Sequence, residues 1–292
     1  MSYEAGAIPS LSIICTIISI LICFGVPLIL IIVFKKKAGS SIRSVLTGAI
    51  TFILFALILE QVSHLIFLVI DWPVSRFINA MPFAYAIYGA LAAGLFEETG
   101  RFVAMSTVLK KQNNRGTALG YGIGHGGIEA ILIGGLSAVS TLVLLLSVNA
   151  SGMAGYLATL PSQTADAMSA TILSLYSTSG FMFLVMGLER LVAMALQLGL
   201  SVLVFTAVKN KKYRYLFPVA ILIHVLADFP AALYQKGVIT NVYLIEGWAA
   251  ILAIFTGVIA IKLYKSILTE NDQLDTTAFT QTDTLAGEIN EQ

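Results

Sequence analysis

The sequence has few charged residues. Only 11% of its 292 residues are Asp, Glu, Lys or Arg, whereas 58% are hydrophobic. A soluble globular chain carries roughly 25% charged residues, so this composition excludes an ordinary soluble domain and indicates an integral membrane protein. The net charge of +1 gives no sign of the basic surface that nucleic-acid binding requires. We therefore expect the lipid bilayer, and not a nucleic acid, as the partner of this chain.

Cysteine is also scarce, since Cys15 and Cys23 are the only two in the chain. Both lie in the first hydrophobic stretch, where the helical rise alone separates them by roughly 12 Å. That distance is too long for a disulfide. The cysteines therefore exclude a fold built on disulfides, and they do not indicate the redox compartment.

Long hydrophobic stretches dominate the rest of the sequence. About 20 apolar residues are enough to cross a bilayer as a helix. Stretches of this kind run over about 11–34, 44–70, 82–109, 116–148, 181–208, 215–234 and 242–264. We therefore predict an all-α polytopic membrane protein, a helical bundle with about seven transmembrane helices, and a polar loop over 149–170 between the fourth and fifth helices.

The basic residues cluster at alternate ends of these stretches, which predicts their orientation by the positive-inside rule. The predicted cytoplasmic loops hold most of the 17 Lys and Arg residues: Lys35, Lys36, Lys37, Arg43, Lys110, Lys111, Arg115, Lys209, Lys211, Lys212, Arg214, Lys262 and Lys265. The opposite side holds Arg76 and Lys236. We predict an amino terminus outside, a membrane domain over 1–265 and a disordered acidic cytoplasmic tail over 266–292.

Charged and imidazole side chains interrupt three of the predicted spans near their middle. A charged group at the bilayer centre costs at least roughly 2.5–3.5 kcal/mol, so such groups are expected to have partners and a function. They are Glu97, Glu98 and Arg101 in the third span, His125 and Glu129 in the fourth, and His224 and Asp228 in the sixth.

The depth of these residues can be counted from the nearest cytoplasmic basic residue at about 1.5 Å per residue. A depth of roughly 14–15 Å is shared by Arg101, His125 and His224, and a depth of roughly 20–21 Å by Glu97, Glu129 and Asp228. Within each helix the two members are four residues apart and project from one face. The three helices therefore predict one composite polar site inside the membrane.

Two kinds of hydrolytic chemistry suit this set of side chains. Histidines and carboxylates from different helices can hold a zinc ion with a position left for water, whose pKa would fall to about 7. Without metal, a carboxylate and a histidine can share the work of a general base. The same polar layers would also suit a non-catalytic membrane scaffold or an ion- or proton-coupled transporter, and we predict no organic cofactor.

Two further patterns surround the predicted site. A second polar set, Glu60, His64, Glu189, Arg190 and Glu246, is expected nearer the outer face. Arg190 and one of the glutamates would neutralise each other there, or the set would serve substrate access or a proton path. The run GYGIGHGG over 120–127 places glycines four residues apart, which predicts close helix packing beside His125.

At this point three short motifs resemble a known group of enzymes. The run EETGR over 97–101 looks like the EExxR-type motif of the superfamily of CAAX proteases and bacteriocin-processing proteins. Tyr121 to His125 resembles its aromatic-xxx-His motif, and His224 to Asp228 its HxxxN/D motif. The runs GYGIGHGGIEA and HVLADFPAAL, with Glu189-Arg190, are most similar to the YhfC family of intramembrane metalloproteases. The resemblance covers about 94–234.

The resemblance implies an intramembrane peptidase in the bacterial plasma membrane. Its substrate would be a peptide or protein that is membrane-associated or lipid-anchored. By this resemblance Glu97 and His125 activate water, while His224 and Asp228 act as metal ligands or oxyanion stabilisers. The expected metal ligands are then His125, His224, Glu97 and Asp228, with zinc as the metal. The catalytic set is completed by Glu98, Arg101 and Glu129.

Overall fold

The computed structural model describes residues 7–266, and every regular element in that part of the chain is helical. The α-helices are α1 (Ser10–Ala38), α2 (Ile42–Leu54), α3 (Gln61–His64), α4 (Pro73–Ala80), α5 (Pro82–Ser106), α6 (Gly116–Glu129), α7 (Leu136–Ala158), α8 (Ser162–Ser177), α9 (Met182–Lys209), α10 (Leu216–Gln235) and α11 (Val242–Lys265). Shorter turns are π-helical at Phe55–Glu60, Leu65–Val69 and Ala130–Gly135, and 3-10 helical at Lys211–Tyr213. The predicted all-α membrane architecture is confirmed.

The helices that could cross a membrane agree with the predicted number of spans. Within residues 7–266, six helices are long and apolar enough: Ser10–Ala38, Ile42–Val69, Gly116–Ala158, Met182–Lys209, Lys211–Gln235 and Val242–Lys265. A seventh span results if α4 and α5, which meet at an angle of 107°, are taken together. The orientation of the termini stays a prediction, and the predicted tail lies outside the described residues from position 267 onward.

The bend between α4 and α5 has a local cause. Pro82 occupies the first turn of α5, where a missing N–H costs nothing because that group has no partner inside the helix. The residue before it, Met81, is extended with φ −110° and ψ 106°, as proline requires of its neighbour. Met81 is therefore the single residue between the end of α4 and the start of α5.

The predicted polar loop over 149–170 is wrong. Helix α7 continues to Ala158 and α8 occupies Ser162–Ser177. Asn149 is used as a structural residue, because its side chain accepts a hydrogen bond from the Ile8 N–H at 2.7 Å and donates one to the Ile8 carbonyl at 3.1 Å. Ile172 of α8 is fully buried in an apolar cluster. These tertiary contacts outweigh the low hydrophobicity of the segment.

The chain divides into two compact units. The first unit comprises Met1–Leu28 and Glu129–Leu191, and the second comprises Ile29–Ile128 and Val192–Gln292. An apolar cluster around Leu145 and Ile172 forms the described core of the first unit. The described core of the second is larger and is built mainly from α9, with smaller contributions from α10, α11, α5 and α6. The prediction of one domain over 1–265 stays a prediction.

Glycines let α6 approach two neighbours within the second unit. A Cβ built on Gly124 would overlap the carbonyl of Val45 in α2, and one on Gly120 would overlap the Ser44 hydroxyl. On the opposite side, a Cβ on Gly126 would lie 3.0 Å from the Cβ of Gln197 in α9. The predicted small-residue packing is confirmed, and it seats His125 between α2 and α9 at close range.

Candidate active site

The second unit gathers polar side chains from α5, α6, α9 and α10 into one buried group. Its members are Glu97, Glu98, Arg101, His125, Gln197, His224 and Asp228. Helix α5 packs closely against α10, because Gly94 of α5 fits against Val225 and the Ile221 carbonyl. Six of the seven residues predicted as catalytic are therefore brought together.

Glu97 lies at the centre of this group. Its Oε2 is 2.8 Å from His125 Nε2 and 3.0 Å from Gln197 Nε2, which donates to it. His224 Nε2 lies 3.8 Å from the same oxygen. Donors on two other helices thus fix the orientation of one carboxylate inside the protein, where Glu97 is only 7% exposed.

Glu98, the next residue, has a different set of partners. Arg101 Nη1 donates to its two oxygens at 2.9 and 3.0 Å, and His224 Nδ1 lies 2.8 Å from Oε1. Glu98 and Arg101 are completely buried. The arginine therefore pairs with Glu98 and not with Glu97.

Gln197 is the residue of this group that the predicted catalytic set omitted. Its Oε1 accepts a hydrogen bond from Arg101 Nη2, and its Nε2 donates to Glu97. Because a guanidinium only donates and a carboxylate only accepts, these two partners assign the orientation of the amide. Its position twelve residues before Lys209, level with the histidines, was the available sequence signal.

The two histidines differ in the partner of their second ring nitrogen. His224 Nδ1 donates to Glu98, while its Nε2 faces Glu97 Oε2 and, at 3.4 Å, Asp228 Oδ2. A bare lone pair between two carboxylates is unfavourable, so a proton or a metal cation belongs at Nε2. His125 Nδ1, by contrast, is buried without a hydrogen-bond partner among the described residues.

The charges of the group lead to the same conclusion. Glu97, Glu98 and Asp228 carry three negative charges, against one positive charge on Arg101. With neutral histidines the site keeps an excess of two negative charges, which one divalent cation or two protons would balance. Such compensation matters most for the buried Glu97 and Glu98, because uncompensated charge away from water is very costly.

The donor atoms suit zinc in kind and nearly in spacing. Zinc binds His nitrogen at about 2.0–2.1 Å and carboxylate oxygen at about 2.0–2.2 Å, so neighbouring tetrahedral ligands lie about 3.3–3.5 Å apart. The observed separations are 2.8 Å for His125–Glu97, 3.8 Å for His224–Glu97 and 3.4 Å for His224–Asp228.

The four predicted ligands form a row of neighbours and not a closed tetrahedron. Ligand atoms of Glu97 and His125 lie within 4.8 Å of each other. Among the described residues, 7–266, His224 has no ligand atom that close to both of them. His224 nevertheless has the feature that metal-binding histidines almost always show, a second nitrogen bonded to a carboxylate. The histidine and carboxylate donors therefore suit a divalent metal in kind, and the set of four ligands stays a prediction.

The site is open on one side. Glu97, His125 and His224 are buried, whereas the side chain of Asp228 is 42% exposed. The group is therefore not fully enclosed by protein at Asp228.

One residue of the predicted catalytic set, Glu129, belongs to the first unit. Glu129 ends α6, one turn after His125. Within the first unit it forms an ion pair with Arg190 at 3.1 Å. Arg190 also pairs with Glu189, so the predicted neutralisation of Arg190 by a glutamate of the outer set is confirmed. Glu60 and His64 pair with each other in the second unit at 3.3 Å, and Glu246 lies in α11.

Comparison with known proteins identifies the family. The family model described as YhfC intramembrane metalloprotease matches residues 18–249. The chain belongs to the YhfC family. It is 37% identical over 232 residues to the uncharacterized membrane protein YhfC of Bacillus subtilis (strain 168), which covers 80% of this chain and 88% of that relative. No solved structure gives a significant match. The matched region of this YhfC-family chain contains every member of the buried group.

Proposed function

We propose that this chain is an intramembrane peptidase that hydrolyses a peptide bond in a membrane-associated or lipid-anchored substrate. The observation that carries the proposal is the arrangement around Glu97, with His125 at 2.8 Å, Gln197 at 3.0 Å and His224 at 3.8 Å from one oxygen. The name of the family supports the same class of activity. The bacterial plasma membrane is the proposed location.

Glu97 is proposed as the general base. It takes a proton from a water molecule that enters past Asp228, and the resulting hydroxide attacks the carbonyl carbon of the scissile bond. When the C–N bond breaks, Glu97 returns the proton to the amine that leaves. His125 and Gln197 hold the carboxylate in place for both transfers, because positioning of a base within hydrogen-bond reach decides its efficiency.

His224 and Asp228 are proposed as the residues that hold a divalent metal beside Glu97, with zinc as the expected ion. A metal bound there would polarise the scissile carbonyl and lower the pKa of bound water to about 7. Glu98 accepts the Nδ1–H of His224 and Arg101 holds Glu98, so both are positioning residues for the imidazole.

The proposal is tested by metal content and by cleavage in the same preparations. Wild type, Glu97→Gln and His224→Ala would be purified in detergent, with Glu246→Gln as a matched control for loss of an intramembrane carboxylate. We expect about one zinc per chain in wild type and in the control, and its loss in His224→Ala.

Cleavage would be read in cells, since the substrate is not identified. New protein amino termini in the membrane fraction would be compared by mass spectrometry between cells that express wild type and cells that express Glu97→Gln. We expect peptide ends that appear with wild type and with the control Glu246→Gln. The same ends should be absent with Glu97→Gln. A metal-loaded wild type that produces no such ends would refute the peptidase and leave a scaffold or transporter.

A further inference from the structure

A second polar feature of the second unit is a cavity of about 410 Å³ between the second span, α5 and α10. This volume lies within the range of roughly 300–1,000 Å³ that is typical of ligand sites. Glu60 and His64 line one wall, Gly89 and Ala93 another, and Asp228 a third. The buried catalytic group is reached through Asp228, so the cavity and the proposed active site share one residue.

We infer that this cavity binds a segment of the peptide substrate that carries a lysine or arginine side chain, with Glu60 as the recognition group. The inference rests on the proposed peptidase function and extends it by naming the class of substrate.

His64 lies between Glu60 and two hydroxyl groups. His64 Nε2 lies 3.3 Å from Glu60 Oε1, and His64 Nδ1 lies 3.1 Å from the Tyr88 hydroxyl. The hydroxyl of Ser63 lies 3.0 Å from that of Tyr88. Nδ1 of a neutral imidazole can accept from Tyr88, whose hydroxyl can accept from Ser63, while Nε2 faces the Glu60 carboxylate. The imidazole is thereby positioned beside the Glu60 carboxylate, which lines the cavity.

The charges around the cavity favour a cationic ligand. Its lining includes the carboxylates of Glu60 and Asp228 and no Lys or Arg. The described cation beside the lining residue Tyr85 is Lys236, whose Nζ is 4.2 Å from the ring centroid and donates to the Asn79 carbonyl at 3.1 Å. This contact shows that the Tyr85 ring can pack against an ammonium group. The ammonium of Lys236 is itself already bound by the Asn79 carbonyl.

A metal ion is a poorer match for the cavity than an organic cation. Within the described part of the chain, Glu60 and His64 belong to no group of three ligand atoms close enough to hold an ion. The long, flexible side chain of lysine or arginine needs only one carboxylate, which Glu60 supplies.

The walls also leave space for a peptide backbone. A Cβ added to Gly89 would meet only the Ala232 methyl, at 3.9 Å. Ala90 and Ala93 on α5 and Ala231 on α10 are the neighbouring lining residues, so the wall has no large side chain there. On the other wall, π-helical turns at Phe55–Glu60 and Leu65–Val69 flank the Glu60–His64 pair, a departure from α-helix that is frequent at functional sites.

Asp228 connects recognition to chemistry. Its side chain lines the cavity and its Oδ2 is 3.4 Å from His224 Nε2. A peptide anchored at Glu60 would therefore run past Asp228 and present a bond beside the basic residue to Glu97.

The charge of the cavity can be tested without any cleavage. Ala93→Cys would be placed in a Cys15→Ala, Cys23→Ala background and labelled in detergent with cationic or anionic methanethiosulfonate reagents of equal size. Ser266→Cys, on the exposed end of the chain that the structure describes, normalises their intrinsic rates. An electronegative cavity should favour the cationic reagent by about tenfold, and Glu60→Gln should reduce that preference. Equal normalised rates would overturn the inference.

Recognition of the peptide is tested by protection. The Glu97→Gln protein, which also carries Ala93→Cys, would be labelled with neutral N-ethylmaleimide in the presence of a synthetic Ala-Leu peptide with a central lysine. We expect this peptide to slow labelling, the same peptide with glutamine to leave it unchanged, and Glu60→Gln to remove the difference. Equal effects of the two peptides would refute the inference even if the wild type proves to be a peptidase. Selective protection in a protein that cleaves nothing would refute only the peptidase.

Discussion

The buried ion pair between Glu98 and Arg101 offers the sharpest test of how this site is built. Arg101→Met removes the hydrogen bonds at 2.9 and 3.0 Å to Glu98 and the bond to Gln197. Both charged residues are 0% exposed, so the variant leaves a carboxylate without its counter-charge away from water. Breaking a buried pair in this way costs about 3–5 kcal/mol. We expect a loss of stability of that size.

The double variant with Glu98→Gln should recover much of this loss. It removes both charges together, and His224 Nδ1–H can still donate to the glutamine carbonyl. Replacement of one hydrogen-bonded group by a neutral one then costs about 1–2 kcal/mol, so Arg101→Met and Glu98→Gln should couple by at least about 2 kcal/mol. The measurement is equilibrium unfolding in mixed detergent micelles with increasing dodecyl sulfate, followed by helical circular dichroism.

An exposed pair in the same chain provides the control. Arg76 and Asp71 are 3.3 Å apart with side chains 67% and 79% exposed, so Arg76→Met should cost about 1 kcal/mol or less. If the losses from Arg101→Met and Glu98→Gln simply add in the double variant, the two side chains do not act as a charge pair and the description of Glu98 as a positioning residue is wrong.

Three further predictions concern other parts of the protein. Gly124→Ala should destabilise it by about 1–3 kcal/mol in the same unfolding assay, because the new methyl group would overlap a backbone carbonyl of α2, whereas Gly257→Ala, with open space around it, should have little effect. Asn149→Ala should cost about 1–3 kcal/mol through its two lost backbone hydrogen bonds, and an unchanged unfolding midpoint would contradict the structural role given to it. His224→Ala should lower zinc affinity far more than His125→Ala does, because Nδ1 has a carboxylate partner in His224 and none in His125 among the described residues. Zinc affinity would be measured by competition with a chelator, and equal losses would show that the two histidines do not differ as ligands.

The sequence was sufficient to locate the site along the chain. Charged residues inside long apolar stretches are rare enough that their depths, counted from basic anchors, placed Glu97, His125 and His224 near one another, and the structure joins them. Glycines at intervals of four likewise predicted the close packing of α6, because a missing side chain has the same consequence in any helix pair.

Other features depended on contacts that no local pattern records. Glu97 and Glu98 are chemically identical neighbours, and only the positions of α6, α9 and α10 decide that the second one pairs with Arg101. Gln197 gave a weak signal, because a single amide in an apolar helix is common. The segment over 149–170 was taken for a loop because its composition is polar, while its helices are stabilised by contacts with residues such as Ile8, distant in sequence.

Because Glu97 and Glu98 are adjacent in α5, the rotation of this helix about its axis decides which carboxylate faces which histidine. Successive residues on an α-helix point about 100° apart, so Glu97 meets His125 of α6 while Glu98 meets His224 of α10. A turn of α5 about its own axis by that angle would exchange a carboxylate that is neutralised by arginine for one that is not. Gly94 and Gly100 oppose such a turn, because their bare faces lie against Val225 and Phe55 and no other face of α5 would fit there. Gly94 and Gly100, which lie outside the site, therefore help to decide which carboxylate faces which histidine.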